Sequence, residues 1–318
     1  MGLMESIYLG VRVVFPLLCF MLLGMVLRKT GWVAKKTFAE LNKLVFRILL
    51  PTMLFLNATS VDLKQIFNRQ NVTLLILSVI SLAVIYVTSE LISRRVIPDT
   101  QKKAIVIQGI YRSNLVLFGL PVSMAVYGSG ELGTVSILII LIVPLYNIMA
   151  SVLLGKAVNQ AKGIGGTIKV AFSNPLVIGA LLGIIFNLVI GTIPELLLTP
   201  MEQLGKMGTP LAFIVLGGSL APARMKEELK TIINVCSLRL LVIPAVVLGI
   251  AMSLGIQGIA LIALLSVFAS PVSVSSYTMS KDLNICPELA GDLVAVTTLV
   301  SMLTMCGWIT LFGYMNMI

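Results

Sequence analysis

The sequence predicts an all-α polytopic membrane protein, and three observations carry that reading. Of its 318 residues 58% are hydrophobic and 11% charged, with a mean hydropathy of +1.05, whereas charged residues alone approach about a quarter of a soluble domain. Apolar runs of bilayer-spanning length recur along the whole chain, separated by short polar connections. Lysine and arginine concentrate in alternate connections, as they do in multi-spanning proteins.

Taken in order, the apolar runs predict ten helices near 7–27, 40–57, 71–92, 102–127, 131–155, 168–190, 195–221, 231–254, 257–280 and 290–315. Ten such spans take roughly 200 to 220 residues, which leaves no polar stretch long enough for a soluble catalytic domain. The first span has Glu5 and no basic residue ahead of Arg12, so it lacks the basic start of a cleavable signal and is expected to stay in the mature protein. The chain has no histidine, the commonest general base and metal ligand, so an enzyme is disfavoured and no cofactor is expected. Cys19, Cys236, Cys286 and Cys306 are far apart, three of them in apolar runs, and suit packing rather than disulfides or metal.

Orientation follows from the basic residues. The odd-numbered connections hold Arg28, Lys29, Lys35, Lys36, Arg94, Arg95, Lys102, Lys103, Lys156, Lys162, Lys169, Arg224, Lys226, Lys230 and Lys281, and the even ones only Lys64 and Arg69. Retention of basic loops on the cytoplasmic side places both termini outside. The net charge of +10 is then a topological signal beside anionic lipid, and no nucleic-acid partner is expected.

Five spans running one way and five the other predict two inverted repeats, residues 1–155 and 156–318. Features match at an offset of 157 to 159 residues: Arg47 falls on Lys206, Pro51 on Pro210, and Glu131-Leu132-Gly133 on Glu288-Leu289-Ala290. The fourth and ninth spans are interrupted near their middles. The fourth carries Arg112, Ser113, Asn114, Gly119 and Pro121, and the ninth Ser270, Pro271, Ser273, Ser275 and Ser276. Proline removes a donor and frees backbone groups that must be satisfied at membrane depth by protein, solvent or ligand. Half-helix N-termini directed at the midplane favour an anion.

Ionisable groups inside the membrane need a reason, since each costs about 2.5 to 3.5 kcal/mol on insertion scales. Arg112 lies about 15 Å beyond Lys102 at helical rise, too deep to snorkel easily. It is placed either to hold a substrate carboxylate or to pair with Glu90 or Asp292. Arg47 and Lys206 sit nearer their membrane faces, where snorkelling competes with substrate contact. Arg239 in the eighth span is equally a candidate partner for an acid. Glu90 and Asp292 are the candidates for proton coupling, and sodium coupling would call on Gln108, Asn114 and the serines. The G-x-x-x-G spacing of Gly179 and Gly183 suits either a contact inside the chain or a homodimer. Gly217 and Gly218, followed by Ala221-Pro222, are expected to end the seventh span.

Six runs, in this order, resemble the auxin efflux carrier family of membrane transporters: VFPLLCFMLLGMVLRKTGWV, LNKLVFRILLPTMLF, RSNLVLFGLPV, NPLVIGALLGIIFNL, EQLGKMGTPLAFIVLGGSLAP and ASPVSVSSYTMS. The resemblance covers essentially the whole chain. It implies two inverted five-helix repeats, broken fourth and ninth helices that cross at the substrate site, and transport of a small organic anion by alternating access. The short fifth connection fits the bacterial branch, whose members are commonly labelled malonate or dicarboxylate transporters, better than the longer plant carriers. Asn114 and Pro121 match the asparagine and proline of the fourth-helix crossing, and Pro271 the proline of the ninth. Ser113, Ser270, Ser273 and Ser275 follow by adjacency as hydroxyl donors. The expected setting is the plasma membrane, with H+ or Na+ as coupling ion or with no coupling ion at all. The rivals are an exporter of aromatic weak acids and, more remotely, a lipid enzyme using Glu90 and Asp292, or a sensor.

Overall fold

The computed structural model describes residues 3–60, 69–127, 133–159, 163–220 and 225–318, with backbone only for 3–14, 120, 124, 125 and 164. Lys64, Glu131, Leu132, Lys162 and Ala221 to Arg224, all invoked above, lie outside the described residues.

Among the described residues the chain is helical, in the order α1 Leu3–Lys29, α2 Lys35–Leu44, α3 Leu50–Thr59, α4 Arg69–Val96, α5 Thr100–Tyr111, α6 Leu115–Tyr127, α7 Gly133–Ala157, α8 Gly163–Phe172, α9 Pro175–Val189, α10 Glu195–Ser219, α11 Leu229–Ser237, α12 Ile243–Ser253, α13 Gly258–Phe268, α14 Val274–Leu283 and α15 Pro287–Tyr314. Four continuous helices are long and apolar enough to cross a bilayer: α4, α7, the run Leu229–Ser253 and α15. Their outward faces carry Ile76, Ile80, Val84, Val87 and Leu91 on α4 and Leu241, Val242, Val246 and Ile250 on the Leu229–Ser253 run, all exposed. Apolar patches of that extent belong against lipid, not water.

Two mid-helix prolines are absorbed without a break. Pro51 and Pro244 cannot donate to the preceding turn, so the chain widens into short π-helical segments just before them, Val45–Leu49 and Leu238–Val242. The Leu50 and Ile243 amides accordingly reach back to the Val45 and Leu238 carbonyls. The run 168–190 is not one straight helix: α8 and α9 meet at a bend of 74°. Asn174 sits before Pro175, where helical backbone is disfavoured, and its side chain caps Leu176 N at 2.8 Å. In the fourth run the break falls at Arg112–Asn114, while Pro121 rides inside α6.

Helices pack closely where glycine permits. The α1–α10 contact is the most extensive in the molecule, followed by α3–α9. A Cβ on Gly24 of α1 would overlap the Ile214 carbonyl of α10, and one on Gly183 of α9 would come within 2.5 Å of the Phe55 carbonyl of α3. Without a hydrophobic drive between helices in lipid, such backbone approach supplies the van der Waals contact that holds them. Gly179 likewise faces Pro51 of α3, so the G-x-x-x-G face packs inside the chain. Gly217 and Gly218 lie in the last turns of α10, which ends at Ser219 as expected.

The basic connections meet at one end. Lys102 pairs with Glu228 at 2.7 Å, Arg28 donates to the Gly218 and Leu220 carbonyls, and Lys169 lines a cavity with Asp282. Thr59 and Ser60 share a cavity with Gly191 and Thr192. Gly24→Ala is expected to destabilise the protein by about 1 to 3 kcal/mol, because the clash is with backbone that cannot step aside. Gly249→Ala, with open space around it inside α12, should be neutral or stabilising by up to about 1 kcal/mol. Thermal melting in detergent reads both.

Candidate functional site

Two half-helices lie at the centre of the bundle. Residues 104–111 of α5 and 260–268 of α13 are buried on every side, the condition of helices that touch neither lipid nor water. Each ends in a short non-helical stretch before its partner begins, α6 after Arg112–Asn114 and α14 after Ala269–Ser273. The two breaks are joined to each other. Ser113 and Val272 form an antiparallel bridge, Asn114 N donates to the Pro271 carbonyl at 2.8 Å, and Ser273 N to the Arg112 carbonyl at 3.4 Å. Val272 N donates to Thr297 Oγ1 of α15 at 3.0 Å. Pro271 supplies an acceptor here and needs no donor of its own. The backbone groups freed by the interruptions thus find partners across the crossing rather than in water.

The carbonyls at the ends of α5 and α13 remain, and Arg239 takes them. Its guanidinium, fully buried, donates to the Ile110 and Tyr111 carbonyls at 3.1 and 3.2 Å, and to the Val267 and Ser270 carbonyls at 2.9 and 3.0 Å. One cation therefore caps two helix C-termini, where the macrodipoles place partial negative charge. The π-helical turn Leu238–Val242 carries this side chain toward the crossing. The expected acidic partner is replaced by backbone, because four aligned carbonyls provide the countercharge and the acceptors together.

With the negative ends neutralised, the positive ends face a small cavity. Its lining includes the first turns of α6 and α14, with Arg112, Asn114, Tyr146 and Thr209. Arg112 has no acidic partner among the described residues; it donates to Met279 Sδ at 2.9 Å and to Asn147 Oδ1. Glu90 is tied to Arg94 at 2.8 Å, and one oxygen of buried Asp292 has no hydrogen-bond partner. The Asn114 amide nitrogen is buried without a partner, and an unsatisfied donor of that kind costs about 1 to 3 kcal/mol unless something accepts from it. Ser113 Oγ donates to Tyr146 OH at 3.2 Å, and that hydroxyl approaches the Val267 carbonyl at 3.4 Å.

The other expected residues divide. Ser273 and Ser275 line the cavity. Ser270 is buried behind it, with Oγ turned back to the Ser266 carbonyl at 2.6 Å. Pro121 lies off the cavity, but its ring removes the bond that the cavity-lining Leu117 carbonyl would otherwise receive. Arg47 is exposed, 3.8 Å from Asp282, while Lys206 pairs with Glu202 at 2.7 Å, and Lys206 and Glu202 both line a larger space beside the crossing cavity. Asn147, Tyr146, Met279 and Thr297 went unnoticed in the sequence; Asn147, an amide set in an apolar run after Pro144, was the legible signal.

The crossing cavity is only about 30 Å³. A second space of about 680 Å³, sharing Met53, Val116, Leu117 and Thr209 with it, opens between α3, α6 and α10. Arg112, in the wall of the crossing cavity, touches Met279, which lines a third space of about 430 Å³.

Apolar helices with lipid-facing surfaces, enclosing a polar crossing of two broken helices, define a multi-pass helical membrane protein. The chain matches the family model described as membrane transport protein over residues 9–309, and it belongs to that family, the one of the auxin efflux carriers. Its activity is accordingly that of a membrane transporter. A comparison with curated proteins gave no match.

Arg239→Met is expected to destabilise the fold by about 3 kcal/mol or more, since buried carbonyls lose charge-assisted bonds and keep no substitute. Arg239→Lys should recover part of that loss, because an ammonium retains the charge but cannot span four acceptors. Melting temperature and detergent-stable yield check the order.

Proposed function

We propose that the protein is a secondary transporter of a small organic anion in the plasma membrane, working by alternating access around the crossing. The observation that carries this is the pairing of Arg112 with two half-helix N-termini, at Leu115 and Val274, around one cavity, while Arg239 cancels the opposing C-termini. A site with positive ends exposed and negative ends capped selects an anion. Arg112 takes a carboxylate through its fork, and the Asn114 amide and the Ser273 and Ser275 hydroxyls supply neutral donors.

The architecture in this reading is ten spans in two inverted repeats, 1–155 and 156–318. Packing supports it: Gly24 against Ile214 and Gly183 against Phe55 are the same contact displaced by 159 residues, with the halves exchanged. The 159-residue offset also relates Arg47 to Lys206 and Pro51 to Pro210. A cavity of about 30 Å³ is no larger than one water's share of volume, so the anion enters only when the walls move. Leu50, Met53 and Thr209 of α3 and α10 form one wall and the crossing forms the other, which makes these two groups the moving parts. With basic loops cytoplasmic and both termini outside, the larger vestibule opens outward and Arg112–Met279–Asn147 closes the inner side.

Malonate or another dicarboxylate is the first substrate class. The vestibule's largely apolar walls, among them Met53, Leu56, Val116, Leu117 and Leu198, favour as second reading a weak acid with a hydrocarbon or aromatic body, including one that is exported. Asp292 and Glu90 each keep one buried oxygen without a hydrogen-bond partner; Asp292, in no ion pair among the described residues, fits proton coupling better than Glu90, whose other oxygen Arg94 holds. Sodium remains the alternative coupling ion, and a homodimer would have to use a face other than Gly179 and Gly183.

Uptake of labelled carboxylates into proteoliposomes, with proton and sodium gradients imposed separately, tests the reading. Saturable uptake of one acid is expected. Arg112→Gln should raise its KM by about tenfold or more, the equivalent of one charge-assisted hydrogen bond. Asn114→Ala should abolish transport at normal expression. Uptake that survives both substitutions removes the crossing as the site. In intact cells, Lys36→Cys should react with an impermeant thiol reagent only after the membrane is opened.

A further inference from the structure

At the end where the basic connections gather, a turn or two along α14 from the crossing, a pocket of about 530 Å³ is lined by Lys35 and Lys36 of α2, Ser219 at the end of α10, Tyr277 and Lys281 of α14, and Glu288 of α15. None of these residues lines the crossing cavity or the vestibule beside it.

The chemistry of this pocket is short of negative charge. Lys281 is half-buried and held only by neutral groups: it donates to Ser219 Oγ and to Tyr277 OH at 2.7 Å, and lies 5.3 Å above the Tyr277 ring. No carboxylate among the described residues lies within 4.0 Å of it. Lys36 reaches only an exposed Glu40, at 4.0 Å. The first turns of α2 and α15 also border the space, and neither Ala34 nor Cys286 caps its helix with a side chain. The positive ends of both helix dipoles add to the same field. Against three lysines stands one lining carboxylate, Glu288.

We propose that this pocket is a second anion site, which takes a compact, doubly charged oxyanion, a dicarboxylate or inorganic phosphate, and bridges Lys281 to Lys35 and Lys36. Nothing in this depends on what passes through the crossing. The walls belong to α2 and α10 on one side and α14 and α15 on the other, so the bound anion ties the second half of a broken helix to its neighbours and stiffens that face.

Protonation of Lys281 controls the site. Lys281 lies one residue past the predicted ninth span, and burial, then Arg28 of α1, pull its pKa down to about 8, with Glu288 opposing and Lys35 assisting. Lys36 and Tyr277 are the other titratable side chains lining the pocket among the described residues. A depressed lysine is charged below that value and neutral above it, so affinity is full near neutrality and falls as pH rises through about 8.

The test is thermal unfolding of the purified full-length protein in detergent, titrated with phosphate, malonate or sulfate against chloride at constant ionic strength. The dianions should raise Tm saturably, with a smaller rise above pH about 9 than near pH 7. The rise should persist in Arg112→Gln, where the crossing is disabled, and vanish when Lys281→Gln is added to that variant. Response to phosphate alone makes inorganic phosphate the ligand, and response to both phosphate and malonate makes it any dianion of that size. A rise that persists in the Arg112→Gln, Lys281→Gln double variant, or that vanishes in Arg112→Gln alone, overturns the proposal, as does no rise at all. Should Lys281→Gln fail to fold, the Lys35→Gln, Lys36→Gln double variant carries the same comparison.

Discussion

Two helices that stop in the middle of a low-dielectric bundle expose carbonyls that water cannot reach, and Arg239 is what makes such a stop tolerable. A buried guanidinium would ordinarily need a carboxylate. Here four backbone carbonyls from two converging helix ends share it, so a single side chain offsets both its own desolvation and theirs. Much else follows from that arrangement. The crossing can be backbone-paired instead of hydrated, and the amide ends of α6 and α14 are left facing the cavity without opposite dipoles beside them. Arg112 can then stay free of carboxylates.

Packing around this centre is built from two kinds of surface. Between α1 and α10, and between α3 and α9, glycines let backbones touch, which makes those pairs stiff. Between α3 and α10 on one side and the crossing on the other, the contacts are side chains bordering open space, Met53, Val116, Leu117 and Thr209. Stiff pairs facing a poorly filled seam are what relative movement of two groups of helices requires.

Prolines show why local sequence underdetermines the backbone. Pro51, Pro121 and Pro244 sit inside continuous helical runs, yet two of them only widen the preceding turn and one leaves its helix unbroken. Pro271 lies in a true interruption, and the other interruption, at Arg112–Asn114, contains no proline at all. What distinguishes the breaks is the presence of partners for the freed groups: Asn114 N finds the Pro271 carbonyl, and Ile110 and Tyr111 find Arg239. Those partners are over 120 residues away along the chain. The bend before Pro175, by contrast, was legible in the dipeptide Asn174-Pro175, since the cap and the restriction before proline are both local.

Composition and period are properties of the sequence by itself, and they determined the helical, membrane-spanning character, the rough helix positions, the basic end and the polar interruptions at Ser113–Asn114 and Ser270–Ser273. Each of these depends on residues near one another along the chain, or on the cost of placing charge in lipid. Only the tertiary structure decided which charge does what. Arg112 and Arg239 read alike as single arginines in apolar runs; packing gave one an amide, a thioether and a cavity, and gave the other the ends of two helices. Arg47 fell to the surface beside Asp282, and Lys206 paired with Glu202 on the wall of the vestibule. The role of a buried cation is set by which acceptors the fold brings within about 3 Å of it, and those come from distant segments that no local pattern encodes.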